Sequence, residues 1–164
     1  MRIALFFILL LTTIACGKSS EEILAEENRK TDSINAAVAK YNDSVTVLNN
    51  TNRFADLSGT HPLSFSSDEA NIKGKINFTK TGRDLYDVSG KIQSGKNSLS
   101  VNGTIKRVSE KHLNFDGKII QKTGSSTYER NKKTTFYDEG KGNFWRLQDK
   151  VNSDGFIDYI DIHK

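Results

Sequence analysis

Chemistry in this chain of 164 residues would have to come from a short list of side chains. The densest group lies in KVNSDGFIDYID, residues 150–161. It sets Asn152, Asp154, Asp158 and Asp161 at the third, fifth, ninth and twelfth positions of an acidic loop, with Gly155 at the sixth. Oxygen ligands spaced this way around a turn glycine suit calcium. Lys150, however, holds the first position, where an anchoring aspartate belongs, and Asp149 lies one residue off. The plainer reading is a glycine-bearing hairpin turn with no metal. His61, His112 and His163 have no ligand spacing and read as surface histidines. Serines and acids abound, but no nucleophile elbow or phosphate-binding glycine loop accompanies them. The expectation is a protein that is not an enzyme and needs no cofactor.

Charge offers a second chemistry. The formal net charge is +4, but residues 71–133 carry 14 basic and 5 acidic side chains, a local +9, between acidic flanks. Five lysines in this stretch, Lys73, Lys75, Lys91, Lys106 and Lys118, fall at solvent-facing strand positions. On an exposed sheet lysines ordinarily discourage edge-to-edge aggregation. As a binding face they would suit anionic lipid, lipopolysaccharide or an acidic glycan.

The elements that must position these groups follow from periodicity. Ser19 and Glu22 form a capping box, with acidic residues in the first turns. Leu24, Ile34, Val38, Tyr41, Val45 and Leu48 then make one apolar stripe, which predicts an amphipathic helix over residues 21–52. Two clean heptads are too few for a coiled coil, so the stripe is expected to dock on the chain's own sheet. From residue 60 the period changes to two. Eight strands are expected, near 62–66, 70–79, 84–94, 98–108, 112–122, 127–137, 143–151 and 156–163. The fold class is mainly β (α+β): a helix followed by an eight-stranded antiparallel up-and-down meander, as a strongly curled sheet or barrel.

Four strands share one frame, IKGKI, VSGKI, VNGTI and FDGKI, which places Gly74, Gly90, Gly103 and Gly117 on the apolar face. Pairing each glycine with the next leaves feasible turns at Gly82, Lys96–Asn97 and Glu110. It also sets Ile76 opposite Val88, Ile92 opposite Val101 and Ile105 opposite Phe115. The same register gathers Lys73, Lys91, Asn102 and Lys118 into one row. Aligned glycines bend a sheet and clear a trough, for the helix or for a small apolar ligand in a lipocalin-like interior. The sixth strand would turn Tyr128, Arg130, Lys132, Thr134 and Phe136 inward, at an opening or lining a polar pocket. In the last hairpin the pattern pairs Val151 with Phe156, Leu147 with Ile160, Trp145 with Ile162 and Arg146 with Asp161.

The remaining candidate is Cys16, the lone cysteine. Met1 and Arg2 give a basic start, IALFFILLLTTI an apolar run too short to span a bilayer, and Ala15 a small residue at a cleavage position. The stretch TIAC resembles the lipobox of bacterial lipoproteins, although Thr13 stands where leucine is usual. The resemblance implies residues 1–15 as signal peptide, diacylation of Cys16, and residues 16–20 as anchor and tether. Gly17 after the cysteine implies the outer membrane of the cell envelope. GKSSEE resembles surface-export signals of Bacteroidota lipoproteins, and the DSI and DSV triplets at Ser33 and Ser44 resemble that phylum's O-glycosylation motif. WRLQ … DYIDI resembles the endings of uncharacterised lipoproteins of the same phylum. The export signal argues against nucleic acid as a partner. The functional expectation is a lipid-anchored, non-catalytic binding or interaction module, with a carrier of a lipid or apolar ligand as the alternative.

Overall fold

A computed structural model describes residues 18–164. Cys16 and the signal segment therefore lie outside the described residues. The chain forms two compact units, one up to Val45 and one from Thr46 to Lys164. Helix α1 spans Ser20–Asn50. Its start is the expected capping box: the Glu22 amide donates to Ser19 Oγ at 3.2 Å, and the Ser19 amide donates to Glu22 Oε2 at 3.0 Å. No helix among the described residues is long and apolar enough to cross a membrane. None of the described helix residues is buried, and Leu24, Ile34, Val38, Tyr41 and Leu48 are exposed.

The second unit is a meander of β1 (Gly59–Ser66), β2 (Asn71–Gly82), β3 (Leu85–Ser94), β4 (Asn97–Arg107), β5 (His112–Thr123), β6 (Ser126–Arg130), β7 (Thr134–Tyr137), β8 (Phe144–Leu147) and β9 (Tyr159–His163). All pairings are antiparallel, and β1 bonds to β9 as well as β2. The ring β1-β2-β3-β4-β5-β7-β8-β9 is thus an eight-stranded barrel, with β6 a further segment in the lane of β7. Alternation along the strands turns apolar side chains inward, and the core of 21 buried residues among those described includes Trp145, Tyr86, Phe65, Phe115 and Phe136. Each buried side chain of this kind stabilises by about 1.5–3 kcal/mol, and a barrel of eight strands is just wide enough for them to fill it.

Register departs from expectation at two hairpins. Gly103 faces Gly117, and Ile105 faces Phe115, as expected. But Gly90 pairs with Ile76 and with Val101, and Val88 with Phe78 and Gly103, a slip of two residues on each side of β3. Because the slip is even, every side chain keeps its face. Ser94 pairs with Asn97, leaving Gly95–Lys96 as the loop, where Gly95 has φ +58°. Glycine at the first central position suits a type II′ turn, so turn geometry sets this register rather than glycine alignment. Volume reinforces it. A β-carbon at Gly74 would lie 2.0 Å from Ile92 Cγ2, and one at Gly90 2.9 Å from Ile76 Cβ.

The expected glycine trough is therefore absent: isoleucines of neighbouring strands occupy it, leaving neither the helix nor a ligand to be invoked there. At Gly103 and Gly117 two backbones meet instead, and a β-carbon on Gly103 would lie 2.4 Å from the Asp116 carbonyl oxygen. The lysine row breaks for the same reason, since Lys91 lies opposite Ser100 and Asn102 opposite Ser89, while Asn102 still faces Lys118. In the last hairpin Trp145 faces Ile162 and Arg146 faces Asp161 as expected, but Val151 bridges Ile157 rather than Phe156. A tight turn causes this shift, because Asn152 Oδ1 accepts the amides of Asp154 and Phe156, both at 3.0 Å.

Candidate binding site at the interrupted sixth strand

The expected sixth strand is broken. β6 pairs with β5 from Thr123↔Ser126 to Ile119↔Arg130, and β7 resumes at Phe115↔Thr134 in the same register. Residues 131–133 belong to neither ladder. Their sequence, Asn131-Lys132-Lys133, is poor in strand formers, and Lys132, expected inward, is exposed. On the other side β8 is only four residues long. After Gln148, whose amide donates to the Thr135 carbonyl at 2.9 Å, the chain leaves the lane. β6 is therefore the terminal strand of the sheet order, an edge within an otherwise closed barrel.

Two cavities border this edge and share Tyr128. One, of about 140 Å³, opens at the barrel end where the β1–β2, β5–β6 and β8–β9 connections meet. Ser67, Asp68, Glu69, Asp154 and Phe156 line its rim, with Gln121 and Asp158 among the other lining residues. A dry cavity of similar volume can hold benzene. The other is a cleft of about 420 Å³ bounded by residues 128–134 and Asp149.

Behind both runs a buried polar chain. Arg130 Nη1 donates to Gln121 Oε1, and Gln121 Nε2 donates to Asp158 Oδ2, which also accepts from Asn152 Nδ2 at 3.0 Å. Arg130 Nε donates to the Asp149 carbonyl at 3.1 Å, and its guanidinium lies 4.3 Å from the centre of the Tyr128 ring. Arg130, Gln121 and Asp158 are each at most 3 % exposed. Burial lowers the Arg130 pKa, against the attraction of Asp149 and, less, Asp158. Arg130 Nη2 has no hydrogen-bond partner among the described residues.

Of the residues singled out in the calcium reading, Asn152 and Asp158 join this chain, and Asp154 sits on the rim. Asp161 is spent elsewhere, taking both Arg146 Nε and Nη2 at 2.7 Å. Among the described residues no three His, Cys, Asp or Glu side chains could hold a metal ion. Two histidines are not surface groups. His61 Nε2 and Nδ1 lie 2.9 and 3.1 Å from the carbonyl oxygens of Leu57 and His163, and His163 Nε2 lies 2.9 Å from Ser64 Oγ.

The five lysines all face solvent. Lys118 pairs with Glu129 at 2.8 Å, and Lys106 donates to the Arg83 carbonyl. Lys73, Lys75 and Lys91 make no ion pair among the described residues. Gln121 is the functional candidate least visible beforehand, whereas Tyr128 stands at an opening as its strand position implied. The signal for Gln121 was a polar residue two places beyond Ile119, on the apolar parity of FDGKIIQ.

No curated protein and no solved structure matches the chain. A family model, that of the PM1083 family, matches residues 44–164, which covers the whole barrel unit. That span is well over half of the sequence, and the chain belongs to the PM1083 family.

Proposed function

We propose that this protein is an exported lipoprotein of the cell envelope, held in the outer membrane through acylated Cys16, and that its barrel is a non-catalytic binding module. One observation carries the binding role: the cavity at the barrel end rests on Gln121 and Asp158, two buried polar groups in a mostly apolar interior. Buried polarity that only stabilised the barrel could be replaced by packed hydrocarbon at little cost, whereas here it borders open space. The lysines of the outer wall supply a field that draws an anionic partner, such as lipid headgroups, lipopolysaccharide or acidic glycan. The reading as an apolar-ligand carrier has no support left in the glycines, whose space is filled.

Anchoring and binding are tested separately. Labelled palmitate should enter the wild-type chain in its own host and be lost in Cys16→Ala, which should also fail to mature. An unlabelled wild-type protein released in soluble form overturns the anchor. Native mass spectrometry of protein purified from that host should show an added mass that disappears in Ser126→Trp, where the new ring fills the mouth of the cavity. The same mass on both proteins, or none on either, overturns the assigned site.

A further inference from the structure

We propose that the cleft beside the break in the sixth lane is an oxyanion site, taking one carboxylate or phosphate group of a ligand on Arg130 Nη2 and the backbone N–H groups of Asn131, Lys132 and Lys133. It rests on the binding-module reading and adds the chemical class of what is bound.

Three independent features point to a missing acceptor. Three side-chain atoms are buried without a hydrogen-bond partner among the described residues: Arg83 Nε, Arg130 Nη2 and Glu139 Oε2. Arg83 is only half-buried, and Glu139 Oε2 has Lys141 Nζ at 3.3 Å. Arg130 alone is more than nine-tenths buried, and it lines the cleft. A buried donor left unmade is costly, and more so when charged.

The second feature is the backbone. The interruption leaves the amides of residues 131–133 with no backbone acceptor among the described residues, on a segment lining the same cleft. The third is the charge around it. Lys132 and Lys133 stand at the cleft, and Lys133 makes an exposed ion pair with Asp116 at 3.2 Å, a kind worth little. Competing acids are engaged: Glu129 Oε1 takes Lys118 at 2.8 Å and Asn131 Nδ2 at 2.7 Å, and Asp149 already faces Arg130 Nε. Charge-assisted bonds to guanidinium and amides are the strong kind for such a group.

The test titrates inorganic phosphate, and acetate in parallel, into the mature chain of residues 16–164, followed by amide and arginine side-chain NMR resonances. Saturable shifts are expected at residues 131–133 and at the Arg130 guanidinium. Lys132→Glu should weaken binding about tenfold or more, the scale of one charge-assisted contact, while Lys73→Glu leaves it within about twofold. Lys132 is exposed, so its variant keeps the fold even if Arg130→Met does not. A second arm sediments the chain with phosphatidylglycerol or phosphatidylcholine vesicles. Binding to the former that phosphate displaces assigns the anion to a lipid headgroup, and phosphate binding without vesicle binding assigns it to a soluble ligand. Phosphate shifts spread evenly over Lys73, Lys75 and Lys91, or no saturable shift at all, overturn the site. That result would leave the cavity test with Ser126→Trp untouched.

Discussion

The two ends of the barrel bury similar polar groups and treat them differently. At the end where β1 begins, residues 51–58 cross the opening. The Asp84 carboxylate accepts the amides of Arg53 at 3.0 Å and Phe54 at 3.2 Å, and its own amide donates to Asn52 Oδ1 at 2.9 Å. The Tyr86 hydroxyl accepts from Asn52 and Leu57 and donates to Asp56. Arg107 Nη1 donates to the Ala55 carbonyl at 2.7 Å, with its guanidinium over Phe54 and Trp145. At the opposite end Arg130 meets Gln121 and Asp149 but keeps one amino group without a partner among the described residues, at the cleft beside the sixth lane. Arg107 is bonded to the linker that crosses its end of the barrel, whereas Arg130 leaves a buried donor without a partner among the described residues, and the proposed oxyanion site rests on that difference.

The contrast is broken or sharpened first at Asp84. Asp84→Ala removes the acceptor for two linker amides and leaves a non-glycine residue at φ +52°. A loss of roughly 2–4 kcal/mol in denaturant unfolding is expected. Arg130→Met should cost less, about 1–2 kcal/mol, because Gln121 alone loses a buried partner, while the Asp149 carboxylate, the other group released, is exposed enough to be hydrated. If Arg130→Met proves the more damaging, the open end is structural too and the comparison fails.

Tyr86→Phe comes next. It deletes one hydroxyl serving three partners and should cost about 1 kcal/mol, whereas Tyr128→Phe, whose hydroxyl makes no hydrogen bond among the described residues, should leave the midpoint within about 0.5 kcal/mol. Equal losses would mean that Tyr128 is held as firmly as Tyr86.

The closed end was largely beyond reach of the sequence, and so was the candidate site, for one physical reason. Strand existence and face follow from period-two alternation, and an even slip preserves both, so the eight-lane meander was legible although two hairpin registers were not. Those registers depend on which turn closes each hairpin and on whether Ile76 and Ile92 fit over glycine, which a one-dimensional pattern does not encode. Likewise Arg130 could be placed on the inward face, but the break after it depends on β8 being too short to flank β6. Asp84 carries no signal in the sequence, since its partners lie about 30 residues back, at Arg53 and Phe54.

The smallest expected effect concerns Glu139, a carboxylate that ties the β7–β8 loop of the closed end to the segment leading toward the open mouth. Glu139 Oε1 takes Lys150 Nζ and Gln148 Nε2. The Lys150 hydrogen bond is the chief cause that lowers its pKa from 4.5 to about 2, with Gln148 next and burial opposing. A carboxyl group whose folded pKa lies below its unfolded one stabilises fully above the unfolded value and loses that contribution as pH falls through the folded one. The stability difference between wild type and Glu139→Gln should therefore be constant from neutral pH down to about 4.5, then shrink and close near pH 2. Lys150→Met should erase most of the same difference at neutral pH. Denaturant midpoints for the three proteins at pH 6, 4, 3 and 2 would decide it. A gap that persists unchanged at pH 2 would show that Glu139 acts by packing alone, and the link between the two ends would then not be electrostatic.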